Sequence, residues 1–421
     1  MRILFVADVS IQTVIGGAER VLYEQATRLA RKGHEVHTLT RRPPGDGRTR
    51  LVRQRVTEHR YPVDTRNPVS FFGSTLRNAC HLFVSLSDAT AFDCIHFHQP
   101  FSAAGVLLSP GARSIPKVYS CHSLSCEEFV SRNPFPSGAL PRCAYRLNRL
   151  VRKYVERWVL QRCRTVVALS RFSQRRIGEV HGIPAERTTI IPGGVDTETF
   201  RPAGDKPSTR RGLRLPTDRV VLFTVRNLVA RMGLENLLLA VKAAIPQAPG
   251  LFLVIGGAGP LDAALRELAV REGLADRVRF AGFIPESQLP SYYRMADLFV
   301  LPTREMEGFG LVTLEALASG LPVAGTPVGG TPEILGRLEP NLLFKDATAA
   351  SMAETIAACY RKIKDHPRQW AELGERCRRF AESHYSWDAS ADALESLYIN
   401  QCRVAGGRRA QRINRATPEP I

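Results

Sequence analysis

The chain has 421 residues, of which 44% are hydrophobic and 23% charged: enough for two ordinary hydrophobic cores, with no run near the ~18 uninterrupted apolar residues of a membrane-spanning helix. Its net charge of +18 is uneven, since residues 1–200 hold 29 Lys/Arg against 16 Asp/Glu, residues 201–401 hold 24 against 23, and residues 402–421 hold 5 against 1. No helix-turn-helix, zinc-finger or glycine–aromatic RNA-binding signature accompanies that excess, so it implies an anionic partner other than nucleic acid.

In chain order, ILFVA (3–7) predicts a buried first strand. MRILFVADVS meets Asp8 too soon for a signal peptide, which leads to the expectation of a cytoplasmic protein. A glycine turn at Gly16 and Gly17, a helix over AERVLYEQATRLARKG closing on Gly33, and a strand at VHTLT (36–40) complete a strand–helix–strand unit. Further strands are predicted at CIHF (94–97), KVYSC (117–121), TVVALS (165–170) and TTIIP (188–192). Two segments, FFGSTLRNACHLFVSL (71–86) and RCAYRLNRLVRKYVERWVLQRCR (142–164), combine apolar bulk with basic neighbours. The second reads first as a surface helix packing its apolar stripe on the sheet; the alternative is docking on an anionic membrane leaflet, with Arg149, Arg152 and Lys153 as contacts.

RPAGDKPSTRRG (201–212) is polar and reads as a linker, after which the pattern restarts. Strands are predicted at VVLFTV (220–225), LFLVIGG (251–257), VRFAGF (278–283), LFVLP (298–302) and PVAGT (322–326), and helices at about 232–247, 260–273, 286–296 and 311–319. Continuous apolar strands between helices mean parallel sheets covered on both faces. The expected fold class is α/β, with two doubly wound Rossmann-like domains (1–200 and 213–380) facing a cleft. A C-terminal helical segment, 381–402, is expected to pack back toward the first domain, followed by a basic disordered tail, 403–421.

Ligands of such sheets bind beyond the carboxyl ends of the strands. In the second half those ends carry Arg226, the GGAGP turn with Gly257, residues 303–310, and Gly329 with Gly330. Glycine turns and helix starts offer backbone N–H groups to phosphate, although GGAGP alone equally suits a plain tight turn. In TREMEGFGLVTLEALASGLPVAG (303–325), Glu307 falls on the loop and Glu315 about one turn into a helix starting near Leu311. Both carboxylates can accept hydrogen bonds from vicinal hydroxyls while amides of 309–311 meet a phosphate between them, which suits a nucleotide-sugar. The bland alternative is a solvated Glu307 and a Glu315 that merely favours its helix N-terminus. His96 and His98 in DCIHFHQP alternate on a strand but lack a third ligand, so they read as a polar cleft wall. CHSLSC (121–126) likewise lacks zinc-site spacing, and the nine cysteines are expected to be reduced.

In order along nearly the whole chain, GGAER (16–20), His122 after KVYSC, ALSRFS (168–173), IIPGGVDTETF (190–200), EGFGLVTLEALASGLPV (307–323) and VGGTPEI (328–334) resemble the retaining GT-B-fold glycosyltransferases of family 4. That family includes sucrose-phosphate synthases and bacterial mannosyltransferases. The resemblance implies transfer of a sugar from a nucleotide-sugar donor to a hydroxyl of a glycan or lipid-linked acceptor, with retention of anomeric configuration, in glycolipid, polysaccharide or cell-envelope glycan synthesis. It further implies that Glu307 contacts the donor sugar, Glu315 the ribose, Arg226 the diphosphate, and His122 the reaction centre from the opposite domain. Glu307, Arg226 and His122 are then the catalytic set, and Gly16, Gly17, Arg231, Gly257, Gly308, Phe309, Gly310 and Leu311 complete the donor-binding set.

Two departures stand out. Met232 occupies the position of the family's usual diphosphate-binding lysine, with Arg231 just before it, and Gly193 replaces the usual Asn before GVD, a turn residue away from obvious chemistry. No Asp-x-Asp signature occurs, so neither a metal ion nor another cofactor is expected, and arginine with backbone amides would neutralise the leaving diphosphate. A sugar phosphorylase or epimerase on the same fold, or a catalytically silent sugar-nucleotide-binding protein, are the competing functions. The missing pyridoxal-lysine signature weighs against the phosphorylase; the retained acids, Arg226 and His122 weigh against silence. The expected setting is the cytoplasm, with peripheral attachment to the inner face of the membrane.

Overall fold

A computed structural model describes residues 1–11, 16–133, 135–202 and 204–416, with side chains described through Val404. The chain forms two compact units, Met1–Pro192 together with the segment from Trp387 onward, and Gly193–Ser386.

The first unit is built on strands β1 (Arg2–Ala7), β2 (Glu35–Arg41), β3 (Arg50–Arg53), β4 (Val56–Tyr61), β5 (Cys94–Phe97), β6 (Lys117–Cys121), β7 (Thr165–Ala168) and β8 (Thr188–Ile190). They lie in the order β3-β4-β2-β1-β5-β6-β7-β8, parallel throughout except for the β3–β4 pair. Residues 3–7 are fully buried because β1 is covered on both sides. Leu4 and Val6 pack with Phe83 of the helix Pro68–Ala89, whereas Ile3 and Phe5 pack with Leu22 of the helix Gly17–Arg31 and with Leu394 and Tyr398 of the helix Trp387–Ala416. Alternation along one strand thus serves two helical layers. The C-terminal helix is fixed further by Arg28–Asp388 at 3.0 Å and His34–Glu395 at 2.9 Å. It continues over 403–416, inside the segment read as a disordered tail, of which 417–421 lie outside the described residues.

β3 and β4 were not expected, because RLVR and VTEHRY lack an apolar run. Their inward polar groups neutralise one another instead: Glu58 pairs with Arg60 at 2.8 Å, and Thr40 donates to Glu58 at 2.8 Å. The helix Ala139–Arg162 is divided. Its C-terminal half packs Val159 and Leu160 into the core, whereas Leu140, Leu147, Leu150 and Tyr154 are 84%, 62%, 48% and 60% exposed.

The second unit carries β9 (Val220–Val225), β10 (Leu251–Gly256), β11 (Val278–Gly282), β12 (Leu298–Leu301) and β13 (Val323–Gly325) in the order β11-β10-β9-β12-β13, all parallel. Strand order reverses between β9 and β12, the place where open α/β sheets bind ligands. The segment 201–212, expected as a linker, belongs to this unit and holds the helix Lys206–Gly212. Its arginine is an anchor, since Arg210 donates to the Met295 carbonyl at 2.8 Å and pairs with Asp297 at 2.6 Å. The chain instead passes between units at Pro192 and Gly193 and again at Ser386 and Trp387.

Candidate active site

In the second unit, the loops after β9 and β12 bring Arg226 and Glu307 together. Gly257, at φ +121, permits this approach: a Cβ there would lie 1.8 Å from the Arg226 carbonyl oxygen. Gly329, at φ +66, does the same for Glu307, whose carbonyl oxygen a Cβ would meet at 1.9 Å. The neighbouring Gly330 amide donates to that carbonyl at 2.8 Å. Only glycine fits either position, because each combines a left-handed backbone with a close main-chain neighbour.

Arg226 and Glu307 are both buried and form an ion pair from Nη2 to Oε2. Arg226 Nη2 also donates to Thr303 Oγ1 at 3.0 Å, and that hydroxyl donates onward to Glu307 Oε2 at 3.0 Å. Met232 closes the cluster, its sulfur accepting from Arg226 Nε at 3.2 Å and Nη2 at 2.9 Å. At this position a lysine would put a second cation against Arg226, whereas the thioether packs in the core and accepts from the guanidinium. Among the described residues nothing accepts from Arg226 Nη1, and nothing donates to Glu307 Oε1.

Arg231, carried with the donor-binding set, braces the loop before Glu307: its Nη1 donates to the Met306 carbonyl at 3.2 Å and its own carbonyl accepts from the Arg304 amide at 2.8 Å. Met306 itself is left-handed at φ 59, immediately before Glu307. Gly310, at φ +83, caps the helix Leu311–Ala318. Glu315 is buried on that helix and accepts from the Tyr293 hydroxyl at 2.8 Å, so it is not a solvated helix-start acid. Phe309 is buried beside Tyr385, and Gly308 lies half-buried between it and Glu307. Gly193 touches this loop directly, since a Cβ there would lie 2.7 Å from Leu311 and 3.3 Å from Phe309. It is therefore part of the site's packing and not a turn residue remote from it.

In the first unit, the strand ends gather a second polar cluster. Asp8 follows β1 and accepts from the Ser102 amide at 3.0 Å and the Tyr61 hydroxyl at 3.4 Å, and burial raises its pKa. His98 follows β5 and shares a 2.9 Å hydrogen bond, Nδ1 to Nε2, with His122 after β6. His96 is not a cleft wall: it is fully buried between the Tyr398 hydroxyl at 2.5 Å and the Ser120 hydroxyl at 2.8 Å. Burial pushes His96 down to about 3 and His122 to about 4, and lowers His98 as well, so all three are neutral near pH 7. His98 Nε2 and His122 Nδ1 are buried without a hydrogen-bond partner among the described residues. Gly16 and Gly17 open the helix Gly17–Arg31, with the Glu19 carboxylate folded back to 2.8 Å from where a Gly16 Cβ would be. Among the described residues no three His, Cys, Asp or Glu side chains converge as metal ligands.

Thr303, Met232, Tyr293, Asp8, His98 and Tyr398 were not singled out as site residues by sequence. Asp8 carries the readable signal, a polar residue closing a buried strand; Tyr398 carries none, because it meets His96 from the far end of the chain.

The description Glycosyltransferase Family 4 matches residues 15–199, and Glycosyl transferases group 1 matches residues 205–377. The chain belongs to the family 4 glycosyltransferases. The glycosyltransferase is 29% identical over 403 residues to a D-inositol 3-phosphate glycosyltransferase of Thermobispora bispora, covering 91% of this chain and 89% of that one. It is 32% identical over 236 residues to a GDP-mannose-dependent alpha-(1-6)-phosphatidylinositol monomannoside mannosyltransferase of Mycobacterium tuberculosis, covering 54% of this chain and 60% of the relative. Among solved structures, sucrose-phosphate synthase from Thermosynechococcus elongatus superposes with a TM-score of 0.75 at 23% identity, covering 95% of this chain and 99% of that chain. WaaG, a glycosyltransferase involved in lipopolysaccharide biosynthesis, gives 0.69 at 16%, covering 93% and 98%. The glycosyltransferase thus has the GT-B fold, and its group 1 half contains Arg226, Glu307 and Glu315.

Proposed function

We propose that this glycosyltransferase moves a sugar from a nucleotide-sugar, held by the unit Gly193–Ser386, to a hydroxyl of a phosphorylated inositol, free or lipid-linked, held by the first unit. The observation that carries the donor side is the pair of spare groups in an otherwise satisfied buried cluster. Arg226 Nη1 is left to donate to a diphosphate oxygen, and Glu307 Oε1 to accept from a sugar hydroxyl. Charge-assisted hydrogen bonds of this kind contribute about 1.5–3 kcal/mol each. Glu315, oriented by Tyr293, is the acceptor for the ribose hydroxyls. On the acceptor side, both relatives named above are named for a phosphorylated inositol.

The transfer proceeds with retention. The bond from the anomeric carbon to the diphosphate oxygen breaks with its electron pair going to that oxygen, which Arg226 stabilises. The acceptor oxygen then bonds to the same face, and its proton passes to the departing diphosphate. A neutral His122 is a hydrogen-bond partner for the sugar in this scheme, and no metal ion takes part.

The setting is the cytoplasmic face of a membrane. Among the described residues no helix is long and apolar enough to cross one. The stripe Leu140, Cys143, Leu147, Leu150 and Tyr154 repeats in steps of three and four, so it lies on one exposed helix face. Its neighbours include Arg142, Arg146, Arg149 and Lys153, and residues 139–155 contain no carboxylate. That combination fits an anionic leaflet and disfavours pairing with a second copy. The segment 71–86 contributes less, because Thr75, Ala79 and Phe83 turn into the core.

Nucleotide release tests the function. Release from a nucleotide-sugar should rise when inositol 3-phosphate or phosphatidylinositol vesicles are added. No release from any donor in a panel of uridine, guanosine and adenosine diphosphate sugars would overturn the donor assignment.

A further inference from the structure

His98 is a costly residue to bury. It is 3% exposed, and its ring packs against Phe5 at 5.4 Å and His96 at 4.6 Å between centroids. His96 is held in turn, because both of its nitrogens are taken, by Tyr398 and Ser120. The backbone of His98 is fixed as well, its amide donating to the Val6 carbonyl at 2.9 Å. Among the described residues its side chain makes one hydrogen bond, from Nδ1 to His122 Nε2 at 2.9 Å, and its Nε2 has no partner. An apolar ring would fill the same space without an orphan nitrogen, so packing gives no reason for a histidine here. A buried polar atom left over in a native structure points to a role other than packing.

We infer that His98 is a positioning residue that fixes the tautomer of His122 and thereby decides what that imidazole presents to a substrate. Both rings are neutral near pH 7, because burial opposes their charged forms, so each carries one N–H proton. One of the two protons sits in the shared hydrogen bond. If His122 donates it, His98 must carry its own proton on Nε2, where the described residues offer no acceptor and burial keeps solvent away. If His98 donates it, His98 Nε2 is bare and the other proton is on His122 Nδ1. A stranded N–H is the rarer of the two orphans in proteins, which disfavours the first arrangement. In the second, the orphan N–H lies on His122, which is only half-buried, so a bound hydroxyl can satisfy it. His98 Nδ1 is therefore the donor, His122 Nε2 the acceptor, and His122 offers Nδ1–H to a substrate oxygen. Which ring nitrogen is protonated is set, as is usual for histidine, by the hydrogen bond at the other one.

This inference rests on the placing of His122 at the reaction centre proposed above, and the two fail separately. Full-length wild type is compared with His98→Phe, His98→Asn and His122→Ala, with melting measured first. Nitrogen-15 NMR distinguishes protonated from bare ring nitrogens, and the His122 signals are those lost in His122→Ala. In wild type they should show a proton on Nδ1 and none on Nε2. His98→Phe keeps the ring packing without the nitrogens. It should melt near wild type and bind uridine, guanosine or adenosine diphosphate as wild type does, because these lack the sugar. It should also spread His122 over both tautomers and lower kcat about tenfold, the worth of one hydrogen bond. His98→Asn, whose amide N–H can donate to the same His122 nitrogen, should recover part of kcat and of the Nδ1–H tautomer. If His122→Ala turns over like wild type while the His122 tautomer still depends on His98, the reaction-centre role falls and the positioning stands. If wild-type His122 carries its proton on Nε2, if its signals are the same in wild type and His98→Phe, or if His98→Phe loses stability and nucleotide affinity together with kcat, the positioning is overturned.

Discussion

The two polar clusters handle charge in opposite ways. In the second unit, Arg226 and Glu307 neutralise each other in a buried network closed by Thr303 and Met232. In the first, burial strips charge from His96, His98 and His122. The first arrangement is stable until one partner is removed; the second responds to protons. The difference follows from what each must survive when empty, because a lone buried charge is expensive unless it is paired or given up.

The sharpest way to break the comparison is Arg226→Ala. It strands the Glu307 carboxylate in a buried site, so the second unit should lose about 3–5 kcal/mol of stability as well as donor binding. Denaturant melts and donor titration measure both, and unchanged donor affinity in both Arg226→Ala and Glu315→Ala would end the donor assignment. Glu307→Ala should act mainly on turnover.

Acid should strike the first unit next. The unfolded chain takes up a proton on each histidine near pH 6.5, whereas folded His96 and His122 do so only near 3 and 4. Between those values the unfolded state binds more protons, so stability falls as pH drops from about 6.5 toward 4, by up to ~1.4 kcal/mol per pH unit for each histidine. Asp8, whose pKa is raised, works in the opposite direction below its folded pKa and offsets part of the loss. Melting of the first unit across pH 4–7 reads the net slope; a flat profile would contradict the buried neutral histidines.

A smaller effect is expected at the exposed stripe. Leu147→Glu with Leu150→Glu should abolish flotation with anionic liposomes while leaving turnover of soluble acceptors within about twofold, since both side chains are largely in solvent. Wild-type binding should weaken as salt rises through ~0.1 M. Equal indifference to anionic and neutral vesicles at low salt would refute membrane docking. EDTA should have the least effect: activity stays intact if arginine and amides stabilise the leaving group, and complete loss restored by Mg²⁺ would reverse that.

Legibility in the sequence followed the range of the interactions. The strand–helix alternation and the Glu307–Glu315 spacing are local, so they could be read along the chain, as could the start of the helix at Leu311. β3 and β4 could not, because neither carries an apolar run, and the burial of Glu58 depends on its pairing with Arg60. The polar composition of 201–212 made it look like a linker, because the partner that Asp297 supplies to Arg210 lies far along the chain. Met232 read as a lost phosphate ligand because its partner, Arg226, is evident only when the loop closes. Tyr398 and His96 meet across 302 positions, beyond any spacing rule.

The closed Arg226–Glu307 pair also bears on kinetics. A charge-balanced cluster projects little field into solvent, so it does little to draw an anionic nucleotide-sugar inward. The donor's arrival should then depend only weakly on ionic strength, and its affinity should come from slow departure once Arg226 and Glu307 have engaged it. The basic first unit should have the opposite character, with anions arriving fast in dilute salt and more slowly as salt is added.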